Sequence, residues 1–272
     1  MIFLEVYMKK IIIMMLIGGI LMSGVFAQAA TEQTKEKTEL IVFAAASMTE
    51  TMTKIKTMYE SANPNVTITY NFDSSGTLKT QIEQGADCDL FISAATKQMK
   101  ALSDLKMVDE STKVNLLENK TALAVPSGNP KGIKSFDQLA ELLKSAEVFL
   151  AIGNSDVPVG QYTQKIFAFY GIDENAVAAK GCLTYGSNVK EVTTQVSAAS
   201  VDCGIIYATD AFSAGLEVVD TATEAMTGGR VIYPAAVLSG SKHSDVAKAF
   251  LDYLKGAEAT AVFESVGFAS AL

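Results

Sequence analysis

With 272 residues, a net charge of −8, one arginine and one histidine, the chain lacks the basic footprint that a nucleic-acid backbone requires, and no such partner is expected. The lone histidine, His243, lies in the polar segment 239–245, which rules out a histidine-based metal cluster and disfavours a Ser-His-Asp triad. Cys88, Cys182 and Cys203 form no CxxC pair; they allow one bridge between Cys182 and Cys203 beside a buried thiol at Cys88, or a fully reduced set.

In chain order, residues 1–29 predict an export signal: Lys9 and Lys10, an apolar core over 11–26, and the small-residue cleavage pattern Ala27-Gln28-Ala29. A membrane-spanning helix is disfavoured there, because the run is short, contains Gly18, Gly19 and Gly24, and ends without a basic stop. No cysteine lies near the cleavage point to carry a lipid, and a start at Met8 would give the signal its usual layout. Removing the signal leaves a chain of net charge near −9 that begins at Ala30 with a flexible leader over 30–38.

Beyond the leader, strand-like and helix-like segments alternate. The run 40–43 reads as a buried strand and 49–61 as a helix with Met52, Ile55 and Tyr59 on one face. Segment 66–72 alternates as a strand, and 77–84 is a helix closed by Gly85. Strand 90–92, helix 96–104 and strand 121–125 follow. After the Pro- and Gly-rich turn at 126–130 come helix 136–144, strand 148–152 and helix 160–170. The remainder reads as helix 189–199, strand 205–207, short helix 210–214, strand 231–237 and helix 245–255. This order predicts an α/β fold with mainly parallel sheets.

Several of these helices open with anion-attracting chemistry. Ala44-Ala45-Ala46-Ser47-Met48-Thr49-Glu50 joins a strand to a helix, and Ser47 with Glu50 makes a capping-box pattern. Asp73-Ser74-Ser75-Gly76-Thr77 repeats the strand-to-helix junction with hydroxyls at the turn. Val157-Pro158-Val159-Gly160 opens a third helix with Pro in its first turn, and Asn188-Val189-Lys190-Glu191 a fourth by an Asn-x-x-Glu cap. Unpaired N–H groups and the helix dipole favour anions at each such start. Read without further context, Ser47 and Ser75 are equally well explained as caps, Tyr207 as a core residue, and Asp73 as a turn former.

The segments VFAAASMTE (42–50), FDSSGTLKTQIEQGADCDLFISA (72–94), VPVGQYTQK (157–165), GIIYATDA (204–211) and YPAAV (233–237), in this order, resemble the periplasmic molybdate-binding proteins of ABC transporters. The resemblance runs from about Glu39 to Phe268. It implies a two-lobed periplasmic binding protein fold, each lobe a mainly parallel sheet flanked by helices, with the ligand in the interlobe cleft. Chain crossovers near 117–121 and 230–233 would divide it into lobe I (39–118 plus 232–272) and lobe II (119–231).

Carried over residue by residue, the resemblance implies a ligand set of Ser47 and Ser75 through hydroxyl and backbone N–H, Val159 and Val189 through backbone N–H, and Tyr207 through its hydroxyl. Val159 stands where the family usually has Ala, and Asp73 where it often has a small residue. The function implied is capture of molybdate or tungstate and delivery to a membrane permease by a monomer that uses no cofactor, binds no metal cation directly and is not an enzyme. Its place would be the periplasm or the outer face of the membrane. The alternatives are a binder of another tetrahedral oxyanion, such as sulfate or phosphate, and a two-lobed enzyme.

Overall fold

The computed structural model describes residues 37–272, so the predicted export signal and all but the last two residues of the predicted leader lie outside the described residues. Thr38, placed in the leader by its polarity, is the first residue of β1 and pairs with Val66.

The elements follow one another as β1 (Thr38–Ala45), a 3-10 turn (Ala46–Met48), α1 (Thr49–Ala62), β2 (Val66–Asp73), α2 (Ser75–Glu83), β3 (Leu90–Ile92), α3 (Thr96–Asp104) and β4 (Val114–Asn119). Next come β5 (Thr121–Val125), α4 (Phe136–Ser145), β6 (Leu150–Gly153), α5 (Pro158–Phe169), α6 (Glu174–Ala179), β7 (Leu183–Gly186), α7 (Val189–Ser197), β8 (Cys203–Tyr207), α8 (Ala208–Ala214) and β9 (Glu217–Thr221). The chain closes with α9 (Glu224–Thr227), β10 (Val231–Val237), α10 (Ser244–Leu254), α11 (Ala257–Glu264) and β11 (Ala269–Ser270).

The strands form two sheets, one of six strands in the order β11-β4-β10-β3-β1-β2 and one of five in the order β7-β6-β8-β5-β9. Each is mixed: β2-β1-β3 and β7-β6-β8 are parallel, as the alternating pattern predicts, whereas β10, β4, β11, β5 and β9 add antiparallel pairings. The antiparallel parts arise where the chain changes sheets. It leaves the first sheet at the end of β4, enters the second after Lys120 alone, and returns through β10.

Side-chain alternation decides how the first sheet is covered. Leu40, Val42 and Ala44 of β1 share a core with Met52, Ile55 and Tyr59 of α1. Phe43 points to the other face and joins Phe91 with Leu78, Ile82, Met99 and Leu102 from α2 and α3. In the second sheet Leu123, Ile152 and Ile205 are fully or almost fully buried with Ile166 of α5 and Val192 and Val196 of α7. Burying each such side chain contributes roughly 1.5–3 kcal/mol, which outweighs the local preferences of the short strands.

All three cysteines are buried and unbridged. The sheet explains why the bridge allowed by composition does not form: Leu150 of β6 takes Cys182 on one side, through its N–H to the Cys182 carbonyl, and pairs with Cys203 on the other. Two strand spacings separate the thiols' backbones by about 9–10 Å, beyond the roughly 7 Å a disulfide can span. Among the described residues, no helix is long and apolar enough to cross a membrane, and no group of three or more His, Cys, Asp or Glu residues is placed to hold a metal ion.

Candidate functional site

Four helical starts meet where the two sheets' helices face one another. Ser47 in the 3-10 turn before α1, Ser75 at the first position of α2, Val159 in the first turn of α5 and Val189 at the first position of α7 line one cavity with Tyr207, at the end of β8. All five predicted residues are therefore brought together, and each is buried. Ala45, Ala46, Asp73, Ser74, Ala94, Val157 and Pro158 complete the lining, which contains no Lys, Arg or His. The cavity offers only about 10 Å³ for the centre of a water-sized sphere, near the limit for holding a single water. A four-oxygen anion is larger, so the lining must part slightly to admit one.

Local chemistry differs from the expected capping at two of the four starts. Ser47 caps nothing: α1 begins two residues later with Met48 as its unaided cap, and Ser47 Oγ lies 2.9 Å from Tyr233 Oη instead. Glu50, the other half of the expected capping box, reaches Lys190. At α2 the cap is Ser74, whose Oγ accepts from Thr77 N–H at 3.1 Å, while Ser75 Oγ accepts from Ala94 N–H at 2.9 Å. The other two starts follow the pattern. Pro158 opens α5 after Val157, and the Asn188 side chain accepts from Glu191 N–H at α7. Asp73 behaves as a turn residue, its Oδ1 accepting from Ser74 N–H at 2.7 Å and, more distantly, from Asn188 Nδ2 at 3.4 Å.

The electrostatics follow from the backbone. Helix N-termini leave their first N–H groups without intrahelical acceptors, and each carries roughly half a positive charge. Four such starts lining one cavity supply at most roughly two positive charges, the charge that a dianion needs balanced, without a cation in the lining. Hydroxyls complete the donor set. Tyr207 is held edge-on between Tyr162 and Tyr233, with ring centroids 6.5 and 5.7 Å away, and burial raises its pKa so far that it remains a neutral donor.

Two glycines let the parts approach. A Cβ on Gly160 would sit 2.2 Å from the Asn154 carbonyl oxygen and 2.3 Å from that of Gly153, so α5 can begin against the end of β6 only without a side chain. A Cβ on Gly76, at the start of α2, would lie 2.1 Å from the carbonyl oxygen of Asp156, in the turn that leads into α5. That turn is braced by Asn154, whose carbonyl oxygen and Oδ1 accept from Val157 and Asp156 N–H.

Polar contacts also join the two sides. Lys190 Nζ lies 2.8 Å from both Glu50 oxygens and 3.0 Å from Oδ1 of the fully buried Asp210. The Asp210 contact is ionic in distance but misaligned, and neither carboxylate oxygen accepts a well-aligned hydrogen bond from the described residues. Burial lifts the Asp210 pKa to about 6 against the pull of Lys190. For Lys190 itself burial works against the charge, but the Asp210 and Glu50 carboxylates outweigh it and raise the pKa. Gln98 Nε2 of α3 donates to Gln161 Oε1 of α5 at 3.3 Å.

Sequence reasoning did not single out Tyr233, Asn119, Asp210 or Lys190. The Tyr233-Pro234 pair inside a strand carried a signal: proline cannot donate to a ladder, and β10 shifts register between these two residues. Asp210 had a weaker signal, as the one charge following an apolar strand. Asn119 had none.

Three relatives frame this geometry. The chain is 34% identical to the molybdate-binding protein ModA of Escherichia coli K12 over 256 residues, covering 92% of this chain and 95% of the relative. It is 32% identical to the solved substrate binding domain of a provisionally assigned molybdenum ABC transporter from Clostridium difficile, with a TM-score of 0.63 over 86% of this chain and 99% of that one. The periplasmic molybdate-binding protein of Azotobacter vinelandii shares the two-lobed fold with a TM-score of 0.74, covering 86% of this chain and 100% of that one at 17% identity. A family model described as bacterial extracellular solute-binding protein matches residues 40–269, and the chain belongs to that family.

Proposed function

We propose that this protein captures molybdate or tungstate outside the cytoplasmic membrane and delivers it to the permease of an ABC transporter. It works as a monomer without a cofactor, and by binding rather than catalysis. Lobe I comprises 39–118 and 232–272, lobe II 119–231, and the anion sits between them on Ser47, Ser75, Val159, Val189 and Tyr207. The observation that carries the reading is the meeting of these five residues, four of them at helical starts, in one cavity without a cation. The likeness to molybdate-binding relatives over most of the chain supports the choice of anion.

The chemistry is that of a fully ionised oxyanion, which offers acceptors alone. Neutral N–H and O–H donors match it and leave no uncompensated buried charge when the anion departs. Closing the lobes removes water and strengthens each of these bonds. The nearest carboxylate, Asp73, has Oδ1 engaged by Ser74 and Asn188.

Thermal unfolding with a panel of anions tests the proposal. A ligand at about 1,000 times its Kd adds roughly 4 kcal/mol to the unfolding free energy. Molybdate and tungstate should raise the melting temperature strongly, and sulfate and phosphate at equal concentration far less, because their shorter bonds to oxygen cannot span the fixed donors. Equal shifts for all four anions, or a larger one with phosphate, would refute it.

A further inference from the structure

Behind Ser47 stands a hydrogen-bond relay whose direction can be read from its members. Lys120 N–H donates to Asn119 Oδ1 at 2.8 Å, which fixes the amide and turns Nδ2 toward Thr209 Oγ1 at 2.8 Å and Tyr233 Oη at 3.2 Å. An amide nitrogen only donates, so Tyr233 Oη accepts there. Tyr233 is fully buried, and burial keeps its hydroxyl protonated. It therefore has a hydrogen of its own to place. Besides Asn119, Ser47 Oγ at 2.9 Å is its partner with good hydrogen-bond geometry among the described residues; Tyr207 Oη, whose hydrogen turns to the Ala94 carbonyl, is its other polar neighbour, and donation to Ser47 leaves no buried group of the relay unpaired.

Ser47 then accepts from behind, and its own hydrogen is free for the cavity. Ser75 is set in the same way by a different donor, the N–H of Ala94. We infer that Tyr233, oriented by Asn119, is a positioning residue that turns the Ser47 hydroxyl hydrogen into the cavity and so fixes Ser47 as a donor to the oxyanion. This rests on the oxyanion-binding reading of Ser47. The relay also ties the site to both chain crossovers, since Asn119 ends β4, Thr209 lies in α8 on the second sheet's side, and Tyr233 lies in the returning strand β10.

A double-mutant cycle tests it. The full chain, Tyr233→Phe, Ser47→Ala and the double variant are titrated calorimetrically with whichever of molybdate, tungstate, sulfate or phosphate binds the unmodified chain most tightly. Tyr233→Phe should weaken binding about tenfold in the unmodified chain but no more than about twofold in the Ser47→Ala background, since its effect runs through that hydroxyl. A general structural role would cost the same in both. Asn119→Ala, which removes the donor that orients Tyr233, serves as a second entry to the cycle should Tyr233→Phe not fold; it should cost about threefold and likewise lose its effect once Ser47 is Ala. Equal losses in both backgrounds, or no loss in the unmodified chain, would overturn the inference. The identity of the tightest anion decides the functional reading separately, and an unmodified chain that binds none of the four overturns both.

Discussion

Replacing Gly76 by alanine should separate affinity from stability. The added Cβ would stand 2.1 Å from the Asp156 carbonyl oxygen, 3.0 Å from its carbonyl carbon and 3.2 Å from its Cβ, so the clash is with backbone that no rotamer change can move. Since contacts under 3.0 Å are essentially never seen, roughly 1 Å of separation must be recovered between α2 and the turn before α5. A shift of that size lengthens hydrogen bonds that bridge the cleft beyond useful range. If one of the anion's hydrogen bonds is lost, at roughly 1.5–3 kcal/mol, affinity should fall by about tenfold to a hundredfold, and further if a second is lost. In the ligand-free chain the lobes can part to relieve the clash, and the same substitution favours the α2 helix by up to about 1 kcal/mol, so the ligand-free melting temperature should hold or rise. Calorimetric titration with molybdate, paired with ligand-free melting, reads both quantities. Binding within threefold of the unmodified chain would show that the turn at Asn154 absorbs the methyl group, and the account of lobe closure would be wrong.

Ser74 and Ser75 should part company under alanine substitution. Ser75→Ala leaves the buried Ala94 N–H without its acceptor, costing about 1–3 kcal/mol of stability, and also weakens molybdate binding by about tenfold to a hundredfold. Ser74→Ala should cost about 1 kcal/mol of stability through the lost cap and leave the hydroxyl donors to the anion intact; equal affinity losses would contradict the assignment. Asp210→Asn probes the buried carboxylate. With the folded pKa raised from 3.8 to about 6, the folded state holds the proton more tightly, so ionisation of Asp210 costs no stability below about pH 4. Its cost grows as pH rises through 4–6 and is full above 6, at a scale of roughly 3 kcal/mol. The melting temperature of the Asn variant should therefore gain several degrees on the unmodified chain between pH 4.5 and 7.5; a difference that stays constant with pH would contradict the shift.

What could be read from the sequence followed the continuity of apolar runs. β3, β5 and β10 have the bounds that their apolar runs suggest, with Thr121 opening β5, because buried strands need no alternation. β7 and β9 were missed for the opposite reason: they are edge strands whose Thr184, Tyr185, Glu217 and Val218 are exposed, so neither presents an apolar run. α11, built as AEATAVFE, escaped because its small residues give only a faint helical stripe. The site was legible as four separate helix starts, since caps and turns are local features. Which serine capped was not, because a three-residue 3-10 turn displaced the start of α1 and an N–H from Ala94 claimed Ser75. The partner of Ser47 stands 186 residues away, on a strand added to the sheet only after the chain has built its second lobe.

The bridge from Lys190 to Glu50 bears on how a transporter could tell a loaded protein from an empty one. Glu50 is about half exposed, and an ion pair of that kind is worth at most about 1 kcal/mol and less at high salt. When the lobes separate, Lys190 still has Asp210 beside it, so losing Glu50 does not strand a charge. This ion pair thus adds little to closure, and on the oxyanion-binding reading the anion adds far more. A weakly biased equilibrium is the one that a ligand can swing furthest. A closed shape that leaned on the anion in this way would report occupancy, and a permease that engaged only that shape would waste few cycles on empty carriers.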